Sequence, residues 1–413
     1  MKSQKLLILG TVFPEPNSSA AGSRMLQLIE LFQQHNWEIT FASAAAESEH
    51  ATDLSGIGVN QVSVKLNDSS FDDFVRELDP QMVLFDRFMT EEQFGWRVAE
   101  NCPNTIRILD TEDLHCLRHA RQKALKQDRE FQSYDLFNEV AKREIASIYR
   151  CDLSLIISEY EMYLLKTTFK VDEALLHSLP FMLDSVIEED QKAWLAFEER
   201  QHFVTIGNFL HPPNWDAVQY LKTDIWPLIR KQLPESEMHV YGAYCSDKHR
   251  QLHSAKDGFL IKGRAESAAE VISKARVLLA PLRFGAGLKG KLVEAMQCGT
   301  PSITTSIGAE AMHGNLPWSG SIADAVDDFA QAAISLYTEE KAWKTAQQNG
   351  VEIINQIYPK ERLGIEFIQR LEDLKANLEN HRQKNFIGSM LMHHTMRSTE
   401  FMSRWIEAKN QLN

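Results

Sequence analysis

The amino-acid sequence predicts an α/β protein built from two Rossmann-like, doubly wound domains. Short apolar runs alternate with amphipathic helical stretches, and this alternation occurs twice along the 413 residues. Such alternation is typical of parallel sheets whose faces are covered by helices. An acidic stretch, 184–201, separates the two series and carries no strand pattern. At about 150 residues per domain, the length is sufficient for two domains and additional helices.

The first series begins with a continuous apolar run at 5–9, followed by a turn-rich segment at 14–19. A helix is predicted next, because Met25, Leu28 and Phe32 recur at helical spacing. Strands are then predicted at 38–42, 61–66, 82–85, 105–109 and 153–157.

The second series begins with a strand at 202–206 and ends in a helical tail from Tyr358. Its other strands are predicted at 238–241, 259–261, 277–280 and 302–304. We therefore divide the chain into a first domain over 1–185, a linker over 186–201 and a second domain over 202–384.

The composition excludes several classes of protein. Apolar residues make up 44% and charged residues 24%, which is the balance of a globular protein rather than a disordered one. The net charge of −13 argues against a nucleic-acid binder, which needs a positive surface. The five cysteines are far apart and lack metal-ligand spacing. The apolar run near the N-terminus is too short for a signal peptide, and no run spans a bilayer, so we predict a soluble, cytoplasmic protein.

A glycine loop in the second domain is the most informative stretch. The predicted strand at 277–280 leads into Gly285-Ala-Gly287-Leu-Lys289-Gly-Lys291, and a helix is predicted from about Leu288. Backbone N–H groups at a helix start, together with the helix dipole, favour an anion. Arg283 and the two lysines add cations beside that position, so a phosphate or diphosphate is the expected occupant.

Other interpretations of this loop are weaker. The glycine spacing matches the dinucleotide fingerprint of NAD-dependent oxidoreductases, but that fingerprint follows the first strand of its domain, whereas this loop follows a late one. The spacing also matches the phosphate loop of nucleotide hydrolases until Leu292, which cannot supply the required hydroxyl. A glycine turn that only packs a helix against its sheet is the remaining alternative.

Glu294 follows Lys291 by three residues and therefore shares its helix face. A carboxylate beside a diphosphate site can accept hydrogen bonds from a ribose diol. An anion site next to a diol acceptor is what a nucleotide-sugar requires.

Four segments, in matching order, resemble glycosyltransferase family 4, whose members have the two-domain GT-B fold. The strongest is the run from Ala280 to Met312 that contains the glycine loop. The others are 206–217 (IGNFLHPPNWDA), 109–118 (LDTEDLHCLR) and 14–24, which ends Ala-Gly-Ser-Arg.

The resemblance implies transfer of a sugar from a nucleotide-sugar to an acceptor hydroxyl, with retention at the anomeric carbon and no obligatory metal or other cofactor. It implies that His115 and Glu294 act at the reacting sugar and the ribose, respectively. It also implies that the C-terminal helix, 385–413, packs back on the first domain. The implied donor-binding residues are Gly22, Ser23, Gly207, Asn208, Arg283, Gly285, Gly287, Lys289, Lys291 and Glu294, and the implied acceptor-side residues are Arg24, Asp113 and Arg118.

Some of these residues have simpler interpretations. His115 lies at a predicted helix start next to acidic residues, where it could serve only the helix end. Arg24 could pair with a surface carboxylate. The chain also departs from the family pattern at Ala286, where many members have a glutamate, and at Asn208, where many have a cation. A catalytically silent, nucleotide-sugar-binding subunit is therefore an alternative function.

Two segments carry a net positive charge, although the chain as a whole is acidic. Residues 114–150 contain eight Lys and Arg against five Asp and Glu, and the tail from Asn380 contains five against two. Because many similar glycosyltransferases act on lipid-linked acceptors in glycan and surface-polysaccharide assembly, peripheral binding to an anionic membrane is a further expectation. Solvated helix faces, and apolar tail residues such as Met390 and Trp405 packing on the first domain, are the simpler explanation.

Overall fold

The computed structural model describes residues 4–411, with the side chains of 394–397 excepted. Residues 1–3, the last two residues of the predicted 385–413 helix and the side chain of Arg397 lie outside this description. Within it, the chain forms two parallel sheets flanked by helices, which confirms the predicted fold class. The first sheet contains β1 (Gln4–Gly10), β2 (Trp37–Ser43), β3 (Asn60–Ser63), β4 (Met82–Asp86), β5 (Ile106–Asp110), β6 (Leu153–Ile156) and β7 (Leu176–Ser178). The second contains β8 (Gln201–Ile206), β9 (Met238–Tyr241), β10 (Phe259–Gly263), β11 (Ala275–Ala280), β12 (Ser302–Thr304) and β13 (Gly320–Ile322).

Helices cover both sheets and form the tail. Those of the first domain are α1 (Ala20–Gln34), α2 (Ser70–Leu78), α3 (Arg87–Asn101), α4 (His115–Lys126), α5 (Glu139–Arg150) and α6 (Glu159–Thr167). The linker and second domain contain α7 (Glu188–Ala193), α8 (Pro212–Tyr220), α9 (Trp226–Gln232), α10 (Asp247–Arg250), α11 (Ala268–Lys274), α12 (Gly290–Gln297), α13 (Ser306–Ala309), α14 (Val326–Thr338) and α15 (Glu340–Ile357). The tail contains α16 (Lys360–Ala376), α17 (Leu378–Lys384) and α18 (Phe386–Gln411).

The strand order places a crevice in each domain. The first sheet runs β3-β2-β1-β4-β5-β6-β7 and the second β10-β9-β8-β11-β12-β13, with all neighbours parallel. The order reverses between β1 and β4 and between β8 and β11. Open α/β sheets bind ligands beyond the carboxyl ends of the strands at such reversal points. The segments that follow β1, β4, β8 and β11 are therefore expected to contribute to the site.

The chain returns to the first domain at an earlier residue than predicted. Leu363, Phe367 and Leu371 of α16 are buried in the core of the first domain, where the Phe367 ring centroid lies 6.0 Å from that of Phe32. The second domain therefore ends near Pro359 rather than at 384. The periodic apolar stripe of α16 was visible in the sequence, but a stripe does not reveal which core it covers.

The two crossings between domains lie side by side. Leu183 N donates to Tyr358 O at 2.8 Å, and Lys360 N donates to Leu183 O at 2.9 Å. A short parallel bridge therefore joins the outgoing chain at Leu183 to the returning chain at Pro359.

The last helix, α18, also lies on the first domain, against α3 and α5. Asn385 Nδ2 donates to Tyr149 O at 2.7 Å, and Ser69 N donates to Glu407 Oε1 at 2.8 Å. Among the described residues, no helix is long and apolar enough to cross a bilayer.

Candidate functional site

A cleft of about 650 Å³ lies between the two domains, at the carboxyl ends of both sheets. Its walls are formed by the loops after β1, β4, β5, β8 and β11 and by the first turns of α1 and α12. Sequence-predicted residues that line the cleft are Ser23, Asp113, His115, Arg118, Gly207, Asn208, Gly285, Gly287, Lys289, Lys291 and Glu294.

Two helix N-termini converge in this cleft. An added Cβ at Gly290, the first residue of α12, would lie only 2.5 Å from Ala20 Cβ, at the first residue of α1. Ser19 caps α1 with its hydroxyl, which accepts a hydrogen bond from Gly22 N. Lys289, which precedes α12, makes no such side-chain cap. Both helix dipoles therefore direct partial positive charge into the same part of the cleft.

Two lysines add full charges there. Lys289 is 8% exposed, and its Nζ donates to Gly287 O at 2.7 Å. Lys291 donates from Nζ to Asn214 Oδ1 at 2.8 Å and, within residues 4–411, has no carboxylate partner. Burial lowers the pKa of Lys289 to about 8 and that of Lys291 to about 7. Because an isolated buried ammonium is unfavourable, an anionic ligand would stabilise both.

Glu294 lies one turn along α12 from Lys291 and lines the same cleft. Burial raises the pKa of its carboxyl to about 7. A carboxyl in this position is suited to hydrogen-bond hydroxyl groups, either as an acceptor when ionised or as a donor when protonated.

His115 begins α4 on the opposite wall. Its backbone N–H donates to Glu144 Oε1 at 2.7 Å, and its ring packs edge-on against Phe88. Burial lowers the pKa of the imidazole to about 4, although Asp113 opposes the shift, so the ring is neutral at pH 7. Its Nε2 lies 3.4 Å from Asp113 Oδ1, which favours the proton on Nε2 and leaves Nδ1 as an acceptor.

Asp113 and Arg118 are paired with each other. The Arg118 guanidinium donates to Asp113 Oδ2, and both residues line the cleft. Burial alone would raise the pKa of Asp113, but Arg118 and His115 together lower it well below its usual range. Asp113 is therefore a permanent carboxylate that orients His115 and Arg118.

The structure places Arg283 away from the predicted phosphate position. Its side chain is exposed, outside the lining of the cleft, and donates to Asp216 Oδ2 at 2.9 Å and Oδ1 at 2.5 Å. The guanidinium carbon lies 4.6 Å from the ring centroid of Tyr220. An ion pair and a cation–π contact on α8 thus turn this cation outward.

Arg24 also has a different role from the acceptor contact predicted for it. It is 1% exposed, and its guanidinium donates to Asp110 Oδ1 at 3.0 Å and to Leu179 O at 2.7 Å. Arg24 thus ties α1 to the end of β5 below the cleft floor. Neither the family pattern nor the alternative of a surface ion pair predicted this contact, because Asp110 lies 86 positions from Arg24 in the chain.

Three predicted donor-binding residues already make hydrogen bonds within the protein. Gly22 N donates to Ser19 Oγ, and Gly22 does not line the cleft. Ser23 Oγ donates to Pro16 O at 3.2 Å, and Asn208 Oδ1 accepts from Leu210 N at 2.8 Å. Of these, Ser23 and Asn208 remain at the cleft surface.

Two charged residues of the cleft, Arg87 and Glu112, were not among the predicted site residues. Arg87 and Glu112 follow β4 and β5, line the cleft, and both have left-handed backbones with φ of 69° and 61°. Glu112 Oε1 is buried without a partner among the described groups, and burial with Asp110 nearby raises the carboxyl pKa to about 8. Strained backbone of this kind concentrates at functional sites, but nothing in a single sequence reports φ.

Two facing doubly wound domains, with an anion-attracting cleft between them, define the GT-B architecture. Residues 200–339, from the start of the second sheet to α14, match the family described as Glycosyl transferases group 1. The chain therefore has the GT-B fold, and its second domain matches the group 1 glycosyl transferases.

Several solved structures share this fold across nearly the whole chain. Sucrose-phosphate synthase from Thermosynechococcus elongatus is 15% identical, with a TM-score of 0.65 over 90% of this chain and 99% of that chain. HepE from Anabaena, in complex with UDP and glucose, is 12% identical, with a TM-score of 0.66 over 89% and 99%. WaaG, a glycosyltransferase involved in lipopolysaccharide biosynthesis, is 11% identical, with a TM-score of 0.58 over 87% and 99%. No curated protein sequence matches the chain.

Proposed function

We propose that the protein transfers a sugar, with retention at the anomeric carbon, from a nucleoside-diphosphate sugar to an acceptor hydroxyl. The observation that carries the proposal is the convergence of two helix N-termini, the buried Lys289 and the partly buried Lys291 next to Glu294. A diphosphate fits the cationic end, and a ribose diol fits Glu294. The complexes of HepE with UDP and sugar support a donor of this class.

The proposed chemistry follows from where charge develops. The bond between the anomeric carbon and the diphosphate oxygen breaks, a bond to the acceptor oxygen forms, and the proton of the acceptor hydroxyl passes to the departing diphosphate. Negative charge therefore grows on the departing diphosphate. Lys289, Lys291 and the helix dipoles stabilise that charge more in the transition state than in the ground state, which lowers the barrier. The transfer needs no metal, because these groups neutralise the leaving group.

His115 faces this end from the first domain. With its proton held on Nε2 by Asp113, it presents a neutral ring to the sugar and accepts a hydrogen bond from a hydroxyl there. We assign Arg118 and Asp113 to the acceptor side as the groups that hold His115 in place. A role in surface-polysaccharide or glycan assembly is consistent with the involvement of WaaG in lipopolysaccharide biosynthesis.

A catalytically silent donor-binding subunit is the second candidate. It is favoured by Ala286, which packs against the core of the first domain where the family pattern has a glutamate. The NAD-dependent alternative needs an acidic residue about 20 positions after the glycines to bind the ribose. Glu310 lies at that position but is paired with Arg121 at 2.6 Å.

A ligand panel tests these alternatives. We expect UDP-glucose or GDP-mannose, but not NAD, to raise the melting temperature, and a slow release of nucleoside diphosphate to follow. Stabilisation without release under any acceptor would support the silent subunit. Stabilisation by NAD alone would refute nucleotide-sugar transfer.

We further propose that the outer face of α18 contacts an anionic membrane. Among the side chains of this helix that the structure describes, six large apolar ones are exposed although the helix is docked on the first domain: Phe386, Ile387, Met390, Phe401, Met402 and Trp405. Cations accompany them, with Lys409 Nζ 5.3 Å from the Trp405 ring centroid. Apolar residues flanked by cations are typical of helices that lie in the plane of a membrane surface.

Vesicle sedimentation tests this surface. We expect binding to phosphatidylglycerol vesicles that weakens with salt, and we expect the double variant Phe401→Ser, Trp405→Ser to bind at least tenfold more weakly, since each buried aromatic contributes roughly 1.5–3 kcal/mol. Ile365→Ser, at an equally exposed apolar position on α16, serves as the control. Equal binding by the double variant and the control variant would contradict this surface.

A further inference from the structure

The glycine loop of the second domain is held by the first domain. Gly285 O accepts a hydrogen bond from Arg121 at 2.9 Å, and Ala286 packs against the first-domain core. Gly287 is buried, with φ of 61°, and an added Cβ would lie 2.8 Å from Asp113 Cβ. The loop that precedes the two donor-site lysines is thus seated in the wall that carries His115.

One carboxyl group connects this loop to the helix of His115. Glu161 of α6 is fully buried, and its Oε1 accepts from two backbone N–H groups. One is Leu114 N, at 2.9 Å, immediately before α4, and the other is Gly287 N, at 2.8 Å, in the opposite domain. The same oxygen atom therefore fixes the start of α4 and the donor loop relative to each other.

A second contact from α4 reinforces the first. Arg121, two turns along α4 from His115, donates to Glu310 Oε1 at 2.6 Å and Oε2 at 2.9 Å, as well as to Gly285 O. Glu310 belongs to the second domain. Both contacts span the two domains, and both act on α4 and on the residues that lead into Lys289.

We propose that Glu161 is a positioning residue that couples closure of the two domains to the alignment of His115 with the donor loop, with the Arg121–Glu310 pair as its partner contact. The proposal rests on the donor binding at the glycine loop. Glu161 itself lies outside the lining of the cleft, so it acts through Gly287 and Leu114 rather than on substrate. Because Lys291 and Glu294 lie on α12, beyond the loop that Glu161 holds, we expect nucleotide affinity to depend on Glu161 much less than turnover does.

Hydrogen–deuterium exchange on the full-length protein tests the contact without any ligand. In Glu161→Leu we expect amide exchange in the segment 284–290 to accelerate at least tenfold, and exchange in β12 to remain unchanged. Glu161→Gln keeps an oxygen at the Oε1 position and is the matched control, so its loop should remain protected. A protected loop in Glu161→Leu, or an equally exposed loop in Glu161→Gln, would overturn the proposal.

Kinetics supply the second readout. We expect Glu161→Leu to lower kcat for release of UDP from UDP-glucose, or of GDP from GDP-mannose, at least tenfold, while the Kd for UDP or GDP stays within threefold. A parallel loss of nucleotide affinity, turnover and β12 protection would identify Glu161 as a folding residue only and overturn the positioning role. If wild type binds no nucleotide, the proposed function fails, but the exchange measurement still decides the contact.

Glu310→Gln provides an independent arm should the Leu variant fail to fold. It removes the ionic partner of Arg121 from the second-domain side, at a partly exposed position. We expect faster exchange in 284–290 and a lower kcat with nucleotide affinity retained. Unchanged exchange in this variant would refute the second contact and, with it, the coupled arrangement.

Discussion

Replacing Lys291 by methionine is expected to weaken the binding of UDP or GDP by about 100-fold. Methionine fills similar space but cannot donate to a phosphate oxygen. A charge-assisted hydrogen bond contributes on the order of 3 kcal/mol, which corresponds to about a hundredfold change in Kd. Within residues 4–411, Lys291 has only the amide oxygen of Asn214 as a hydrogen-bond partner, so its charge is available to the diphosphate. Isothermal titration calorimetry measures the effect directly.

The same lysine predicts a pH dependence of binding. Its pKa in the free protein is about 7 because of burial, and a bound diphosphate would raise it. Below pH 7 Lys291 is therefore already protonated in the free protein. Above pH 7 it must take up a proton when the diphosphate binds, which weakens binding. We expect Kd to rise with pH above about 7 in wild type, and in Lys291→Met we expect the rise to begin only near pH 8, where Lys289 loses its proton.

Lys274→Met is the matched control, because Lys274 is an exposed lysine of the same domain whose Nζ lies 2.5 Å from Glu270. Its nucleotide affinity should equal that of wild type. Wild-type affinity in Lys291→Met would refute the phosphate assignment.

His115→Ala is expected to lower kcat by about 100- to 1000-fold while leaving the Kd for UDP or GDP unchanged. Losing one preorganised group that acts on the reacting centre typically costs about this much. His115 belongs to the first domain and the lysines to the second, so the chemical step and nucleotide binding should separate. Steady-state kinetics and calorimetry on the same preparation distinguish the two effects.

His119→Ala supplies the comparison for this variant. His119 lies one turn further along α4, is exposed, and does not line the cleft. It should retain full activity. If His115→Ala retained full kcat, the histidine would serve only the start of α4, as the simpler interpretation holds.

The fold and the second-domain part of the site could be predicted from the sequence, because both depend on local residue patterns. The three-residue spacing of Lys291 and Glu294 is enough to place them on one helix face. The apolar run of β11 predicts where the loop that precedes them begins. Two of the three shortest strands, β7 and β13, were not predicted, because three residues provide little pattern; the third, β12, was predicted. The loop of Arg283 was correctly located, yet the direction of its side chain depends on Asp216, far away in the sequence.

The contacts between the two domains could not be predicted from the sequence. Glu161 and Arg121 are single charged residues within ordinary amphipathic helices, and their partners lie 126 and 189 positions away. Arg24 and Asp110 are likewise neighbours only in space. Local pattern thus predicts which residues each domain supplies, and long-range packing decides which of them meet.

The early return of the chain at Pro359 has a consequence for biosynthesis. The core of the first domain lacks Leu363, Phe367, Leu371 and Leu374 until the ribosome has synthesised most of the chain. The second domain, in contrast, has all its core residues once Tyr358 has emerged. Although it is encoded later, the second domain is thus the first to have its complete core sequence, and the first domain obtains its last core residues only when α16 has been synthesised.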